Sequence, residues 1–428
     1  MDYTAIIQDS MDYIEDNLQA DLSAAELAER AGFSVYHFYR LFRCATGLSV
    51  KHYILRRRLL HAIYAVSRGE TGIQAALSYG FDTYAGFYRA FQREFGCTPA
   101  VFLDASRARK PYRLDLKKEE HMTITHKKAA QILKHWNMEQ LPVTDIYNGS
   151  TGEHYGSAYH VGGHHVLKFS ANLGRLKNHM TLSKAIAASG LCAAVPVPTS
   201  GGREYIQDGE LYFCLTARLP GSQIIAGDFY GGDHAAKARF LGQIIGRLHQ
   251  ALASLDCCVS EADLPGTLSG WAISKAAPII GGTAQFWRTF LETFEKLHLS
   301  LPRQIIHRDP QPGNIIRAGK QWGFVDFELS ERNIRIYDPC YAATAVLSES
   351  FGKNMDRWLE IYRNIISGFD SVAYLTDEER TAIPYVILAN QLICVAWFAE
   401  SEQYADLLNI NRDMTRWLMA NFDALKIK

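Results

Sequence analysis

The sequence predicts a multidomain protein, with an all-α module at the amino-terminal end and a larger α+β part behind it. Three observations carry this. A helical unit is duplicated within the first 110 residues, and glycine-split, strand-like runs begin near Val143. The length of 428 residues exceeds what one ordinary core supports, so two or three domains are expected.

The duplication is read from spacing. LAERAGFS at Leu27–Ser34 is echoed by AALSYGFD at Ala75–Asp82, 48 positions later. FYRLF at Phe38–Phe42 returns as FYRAF at Phe87–Phe91, and Gly47–Ser49 as Gly96–Thr98, each 49 positions later. Each unit reads as helix, turn, helix. Ser23, with Glu26 three residues on, has the capping-box spacing, and Leu27 and Ala28 face inward. Gly32 ends the first helix where φ must turn positive. Ser34 then caps a second helix whose Phe38, Leu41 and Phe42 form one apolar stripe. That leaves Val35, Tyr36, Tyr39, Arg40 and Arg43 facing outward. In the second unit Gly80 takes the turn, Asp82 the cap, and Phe87, Phe91 and Phe95 the stripe. Thr83, Tyr84, Ala85, Tyr88, Arg89 and Arg93 then face outward. The breaker-free run SVKHYILRRRLLHAIYAV between the units predicts one long connecting helix.

Charge separates the readings of this module. From Arg30 to Arg113 there are 14 Lys and Arg against four acids, whereas the first 29 residues hold eight acids and no Lys or Arg. A basic module behind an acidic lead is the footprint of phosphate-backbone binding. A bundle with a merely solvated basic face is the alternative; the duplication with basic outward faces favours DNA.

Residues 8–106 resemble the DNA-binding region of the AraC/XylS family, through the signature at Gly80-Phe81, Phe87, Phe91, Phe95-Gly96 and Thr98-Pro99. The resemblance implies that both second helices enter successive major grooves of double-stranded DNA. It puts the base-reading positions at Tyr36, Tyr39 and Arg40, with Arg43 beside them, and at Tyr84, Ala85 and Arg89, with Thr83 beside them. Arg40 and Arg89 can each read a guanine bidentately, while Ala85 offers only a methyl contact. Family members mostly carry this module last; here it comes first.

Whole-chain totals are those of a soluble protein: 48% hydrophobic, 21% charged, and formally neutral. None of the eight cysteines forms a CxxC pair, which points to reduced thiols and a cytoplasmic location. The acidic first residues do not read as a signal peptide, and the apolar run Tyr385–Ala399 is shorter than a membrane span.

The organisation expected is a DNA-binding module at 1–106, a charged linker at 107–122, and two further lobes at 123–218 and 219–428. A short helix, Ile124–Trp136, precedes the runs VTDIYNG, HYGSAYHV and HHVLKFS, read as a small antiparallel sheet. NGSTGEHYGSAYHV is a weak candidate for a glycine-bearing phosphate loop. Lys168 lies inside the third run, where most lysines are simply solvated. HRDPQPGN from His307 and VDFE from Val325 change that reading. In phosphoryl transfer Lys168 contacts the α- and β-phosphates, and Asp309 accepts or positions the acceptor's hydroxyl proton. Asn314 and Asp326 hold Mg²⁺ through oxygen. Pro310, Pro312 and Gly313 make the tight loop, and NIIRAGKQWGFVDFE reads as a hairpin returning Asp326 to it.

Residues 143–421 resemble the aminoglycoside phosphotransferase/choline kinase branch of the protein-kinase-like fold. The marks are His307-Arg308-Asp309 with Asn314, Val325-Asp326-Phe327-Glu328, and Tyr337-Asp338 with Ala342-Ala343. The resemblance implies a bilobal α+β domain using ATP or GTP with Mg²⁺. Backbone near Leu215–Ala217 would hold the base, and His307 and Asp338 would orient the loop. Two departures stand out. The fold usually pairs its strand lysine with a helix glutamate, yet no Asp or Glu occurs between Glu153 and Glu204, and Gln311 stands where many relatives have histidine. Three functions follow: a DNA-binding regulator with a nucleotide- or small-molecule-binding module, a small-molecule kinase, or a DNA-binding protein with a silent kinase fold.

Overall fold

The computed structural model describes residues 3–427, apart from 47, 96–97, 105–107, 109–110, 112, 114–115, 117–123, 125, 148–153, 256, 258, 349–350 and 401–403. Most of the expected linker, the glycine-bearing segment Asn148–Glu153 and the side chain of Arg43 lie outside the described residues. The chain divides into two compact units, Met1–Leu173 with Pro196–Arg218, and Gly174–Val195 with Leu219–Lys428.

The first unit opens with α1 (Tyr3–Asp16), α2 (Ala24–Arg30), α3 (Val35–Thr46), α4 (Val50–Ser67), α5 (Gly72–Ser78), α6 (Tyr84–Phe95) and α7 (Pro99–Asp104). The repeat is visible in the caps. Ser23 and Glu26 close a capping box at α2, and Thr71 and Gln74 close its counterpart at α5. Gly32 (φ +73°) and Gly80 (φ +78°) make the left-handed turns. One assignment changes: α6 is capped by Thr83, whose hydroxyl accepts from Gly86 N at 3.0 Å, rather than by Asp82. The second unit has one residue more between Gly80-Phe81 and its cap than the first, where Ser34 follows Gly32-Phe33 directly.

Phe38 and Phe42 are buried with Leu27, Val50 and Tyr53 in one cluster, and Phe87, Phe91 and Phe95 with Leu59, Ile63 and Phe102 in another. The long helix α4 supplies both. Its Arg57 meets Glu15 of α1 at 2.5 and 2.9 Å, and its Arg56 and His52 each meet Glu94 of α6 at 2.7 Å. Burial alone would keep the Glu15 carboxyl protonated, but hydrogen bonds from His61 and Arg57 outweigh it and hold the group down at about 2.

After α8 (His126–Leu133) and a 3₁₀ turn to Trp136 come β1 (Val143–Tyr147), β2 (His154–Val161) and β3 (His165–Ser170). Next in the chain are α9 (Leu173–Ala188) and β4 (Cys192–Ala193), which group with the second unit apart from Leu173. The strands β5 (Pro196–Val197), β6 (Ile206–Asp208) and β7 (Leu211–Ala217) complete the first unit's antiparallel sheet, in the order β1-β2-β3-β7-β5 with β6 also on β7. Tyr159, Val161, Leu167, Phe169, Phe213 and Leu215 pack on Ile132, Leu133 and Trp136.

The second unit holds β8 (Ser222–Gln223), α10 (His234–Ala253), β9 (Ser260–Glu261), α11 (Leu264–Thr267), α12 (Ile273–Ile280), α13 (Ala284–His298), β10 (Arg303–Ile306), β11 (Ile315–Ala318), β12 (Gln321–Phe324) and β13 (Glu331–Ile334). Four helices close it: α14 (Tyr337–Ser348), α15 (Met355–Ala373), α16 (Asp377–Phe398) and α17 (Ala405–Ala420). Helices α10 and α15 cross closely because Gly242 and Gly368 face each other's backbone; a Cβ there would fall 1.9 Å from Ile365 O and 2.1 Å from Arg239 O. Helix α16 is longer than the run Tyr385–Ala399 suggested, because a Thr376–Glu379 capping box starts it at Asp377. At 22 residues it is long and apolar enough to cross a membrane by length and composition. Yet 67% of its most apolar window is buried, and Ile383, Ile387 and Leu392 lie within the unit's core.

Candidate phosphoryl-transfer loop and DNA-facing helices

In the second unit the segment from His307 to Asp338 is organised around one buried carboxylate. Asp338, at the start of α14, accepts from His307 N (2.9 Å), Arg308 N (2.9 Å) and His249 Nε2 (2.8 Å). The first two donors follow β10 directly, so Asp338 fixes the point where that strand becomes the loop. Burial pushes the His307 imidazole below its ordinary value and keeps it neutral. Its Nε2–H donates to Val325 O at 3.0 Å, and Nδ1 accepts from Asp309 N at 3.3 Å. One ring therefore spans the loop and the end of the β11–β12 hairpin.

Two of the four non-glycine residues with positive φ among those described are here, Arg308 (+74°) and Asp326 (+71°). Such backbone costs about 1–3 kcal/mol per residue and persists only where surroundings impose it. Arg308 is held by Glu331 at 2.8 Å. Around Asp326 the constraint comes from both sides, through Val325 N on Asn314 O at 2.9 Å and Phe327 N on His179 Nδ1 at 3.4 Å.

These supports bring Asp309 and Asn314 together. Asn314 Nδ2 donates to both the backbone oxygen and Oδ2 of Asp309 at 2.9 Å, and Gln311 Nε2 adds a third bond at 3.1 Å. Asp309 Oδ1 is buried, and the Tyr341 hydroxyl also bonds this carboxyl. Burial and the neighbouring Asp326 carboxylate push the Asp309 carboxyl up to about 7, against its amide donors. A carboxylate so placed can take a proton near neutral pH.

The donor set suits a hard cation. With its amide nitrogen committed to Asp309, Asn314 has its oxygen left, and Asp326 adds a carboxylate. Among the described residues no group of three or more His, Cys, Asp or Glu converges as an all-protein metal cage. Lys168 lies in the first unit, buried on β3 opposite Ala158 and Cys214.

His249 and His179 support this site although neither belongs to a sequence motif. Each is a histidine on the apolar stripe of a helix, among Ile245, Leu248 and Leu252 of α10 and Leu176, Met180 and Ser183 of α9. A buried histidine at a core position was the available signal. His179 comes from the helix that carries no glutamate, and it holds the turn after Asp326 instead.

On the helices expected to meet DNA, Tyr36 is 82% exposed, and Arg40 is exposed on the same helix, with Tyr39 half-buried. Tyr84, Ala85 and Arg89 are exposed on α6, as is Thr83 at its cap. Both sets stand on helices whose opposite stripe is anchored in core.

Known proteins divide along the same line. Residues 27–105 match the helix-turn-helix domain family and residues 128–374 the phosphotransferase enzyme family. The transcriptional regulator Rob of Salmonella typhimurium is 35% identical over 132 residues, 29% of this chain and 46% of that one. The right origin-binding protein of Escherichia coli is 37% identical over 103 residues, 24% of this chain and 36% of that one. The chain thus spans under half the length of these relatives. The transposon Tn10 TetD protein of Escherichia coli is 35% identical over 101 residues, covering 23% of this chain and 73% of its own.

Among solved structures, the amicoumacin kinase hAmiN in complex with AMP-PNP and Ca²⁺ superposes with a TM-score of 0.52 at 15% identity, over 68% of this chain and 91% of that one. A microcompartment-associated aminopropanol kinase gives 0.53 at 14%, over 70% and 98%. These likenesses show the fold, an α+β kinase-like domain. The chain belongs to the phosphotransferase enzyme family, and ahead of that domain it carries a helix-turn-helix domain of the AraC type.

Proposed function

We propose that the chain is a sequence-specific regulator of transcription, cytoplasmic and bound to double-stranded DNA, whose phosphotransferase domain binds Mg²⁺ with ATP or GTP and a small molecule. The observation that carries this is an intact, strained Arg308–Asn314 loop in a chain that also presents two basic reading helices. In this reading Tyr36, Tyr39, Arg40 and Arg43 of α3, and Thr83, Tyr84, Ala85 and Arg89 of α6, face the DNA, the arginines on guanines. Lys168 grips the phosphates, Asn314 and Asp326 hold the magnesium ion, and Asp309 faces the acceptor hydroxyl. The ion supplies charge neutralisation on the phosphates. The chain's own part is orientation, through Asp338 and His307, and proton acceptance at Asp309.

The neighbours named for AMP-PNP and for an aminopropanol kinase support a nucleotide and a small polar acceptor as the ligand classes. Occupancy acts on DNA only if the ligand has different affinities for two states of the chain. A second reading, a small-molecule kinase with a DNA-binding appendage, is favoured by the pairing of Asp309 with Asn314 in an intact loop.

The test selects duplexes from a random pool and measures affinity at fixed salt with and without Mg·ATP and Mg·GTP. A selected site bound more tightly than random duplex, with affinity that moves on adding nucleotide, is the expected result. No sequence preference contradicts the DNA half, and equal affinity with and without nucleotide contradicts the effector role.

A further inference from the structure

The two faces of the first unit's sheet differ. Tyr159, Val161, Leu167, Phe169, Phe213 and Leu215 point to the apolar core beneath α8. Strand alternation therefore places Ala158, His160, Val166, Lys168, Cys214 and Thr216 on the other face. The register puts them in two rows: Ala158, Lys168 and Cys214 pair across the strands, and His160, Val166 and Thr216 pair one row further toward the end of β7. His160 is thus on the phosphate-lysine face, one row of about 7 Å from Lys168.

His160 is unusual for that place. Its Nδ1 is buried and makes no hydrogen bond among the described residues. Burial, and then the Arg218 guanidinium just beyond β7, lower the imidazole to about 4, so the ring is neutral at physiological pH. A neutral ring there offers one buried, unpartnered nitrogen, Nδ1. His165 has an unpartnered Nδ1 too, but it pairs with Val161 and so belongs to the opposite face. Buried polar atoms without partners are rare, and this one calls for a partner that the described residues do not supply.

We propose that His160 is a nucleobase-contacting specificity residue, with its Nδ1 bonded to the edge of the base of a purine nucleotide. This rests on the nucleotide-binding reading above. The row order fits it: Lys168 serves the phosphates, and His160, Val166 and Thr216 serve the base, beside the strand end Leu215–Ala217. A neutral imidazole can present either a donor or an acceptor, so the bond forms with adenine or guanine, but not equally well with both.

The experiment is calorimetric titration of the full chain with Mg·ATP, Mg·GTP and Mg·tripolyphosphate. His160→Val is expected to weaken the better-bound nucleotide by about tenfold or more and to bring the two affinities together. Tripolyphosphate, which has no base, should bind as in wild type. His160→Asn, whose amide stands near the Nδ1 position, should keep most of the affinity. The valine variant should melt no lower than wild type without ligand, because an unpaired buried nitrogen has been removed. Equal nucleotide affinities in wild type and His160→Val would overturn the proposal, as would a loss as large in His160→Asn. If wild type binds tripolyphosphate but neither nucleotide, or nothing at all, the nucleotide reading fails first and this one with it.

Discussion

The helix-turn-helix units and the Arg308–Asn314 loop are both sharp turns between regular elements, yet they are assembled over different distances in sequence. In the first case the turn is closed by neighbours. Ser23 reaches Glu26, Thr71 reaches Gln74, and Gly32 and Gly80 take the positive φ. In the second, Arg308 and Asp326 take positive φ without glycine, and distant residues hold them there: Asp338, Glu331, His179 and His249. The difference teaches where to expect fragility. A locally built turn loses a cap at modest cost, whereas a strained loop hung from one buried carboxylate fails as a unit.

The largest effect should therefore come from Asp338→Ala. It leaves His307 N, Arg308 N and His249 without their acceptor, and losing one partner of a buried charged network costs about 3–5 kcal/mol. Denaturant unfolding measures it, and a change below that of a helix cap would break the comparison.

Next is Glu15, which ties α1 to α4. Its carboxyl is depressed from 4.5 to about 2, so its stabilisation is complete above pH 4.5 and is lost as pH falls toward 2. By linkage the full contribution is on the order of 3 kcal/mol. The stability gap between wild type and Glu15→Gln should close over that window when unfolding is followed against pH.

Smaller again are the reading helices. Arg40→Ala and Arg89→Ala should each cost about 1–3 kcal/mol at the base contacted and relax preference there, with the fold unchanged by circular dichroism. Ser23→Ala should be the smallest, about 1 kcal/mol in the same unfolding assay.

This contrast also explains what could be read in advance. The repeat, the Ser23–Glu26 capping box, both glycine turns and both phenylalanine stripes follow from spacings of three or four residues and stand as expected, whereas the Thr71–Gln74 box emerges only in the structure. Thr83 displaced Asp82 as the cap because single-residue offsets at a helix start are decided by the turn before it. Helix α16 began earlier than its apolar run because a polar capping box precedes that run. The Asp309–Asn314 pairing and the β11–β12 hairpin were legible through motif spacing. His249 and His179 were not, since each acts on a residue 89 or 148 positions away and looks like any core histidine.

The central claim is that this loop is a working magnesium–nucleotide site in a DNA-binding chain. Its most direct test is calorimetric titration of wild type and Asp326→Asn with ATP and GTP, with and without Mg²⁺. Saturable binding that requires magnesium and weakens in Asp326→Asn is the expected result. Binding of neither nucleotide, or binding indifferent to both magnesium and the substitution, would contradict it.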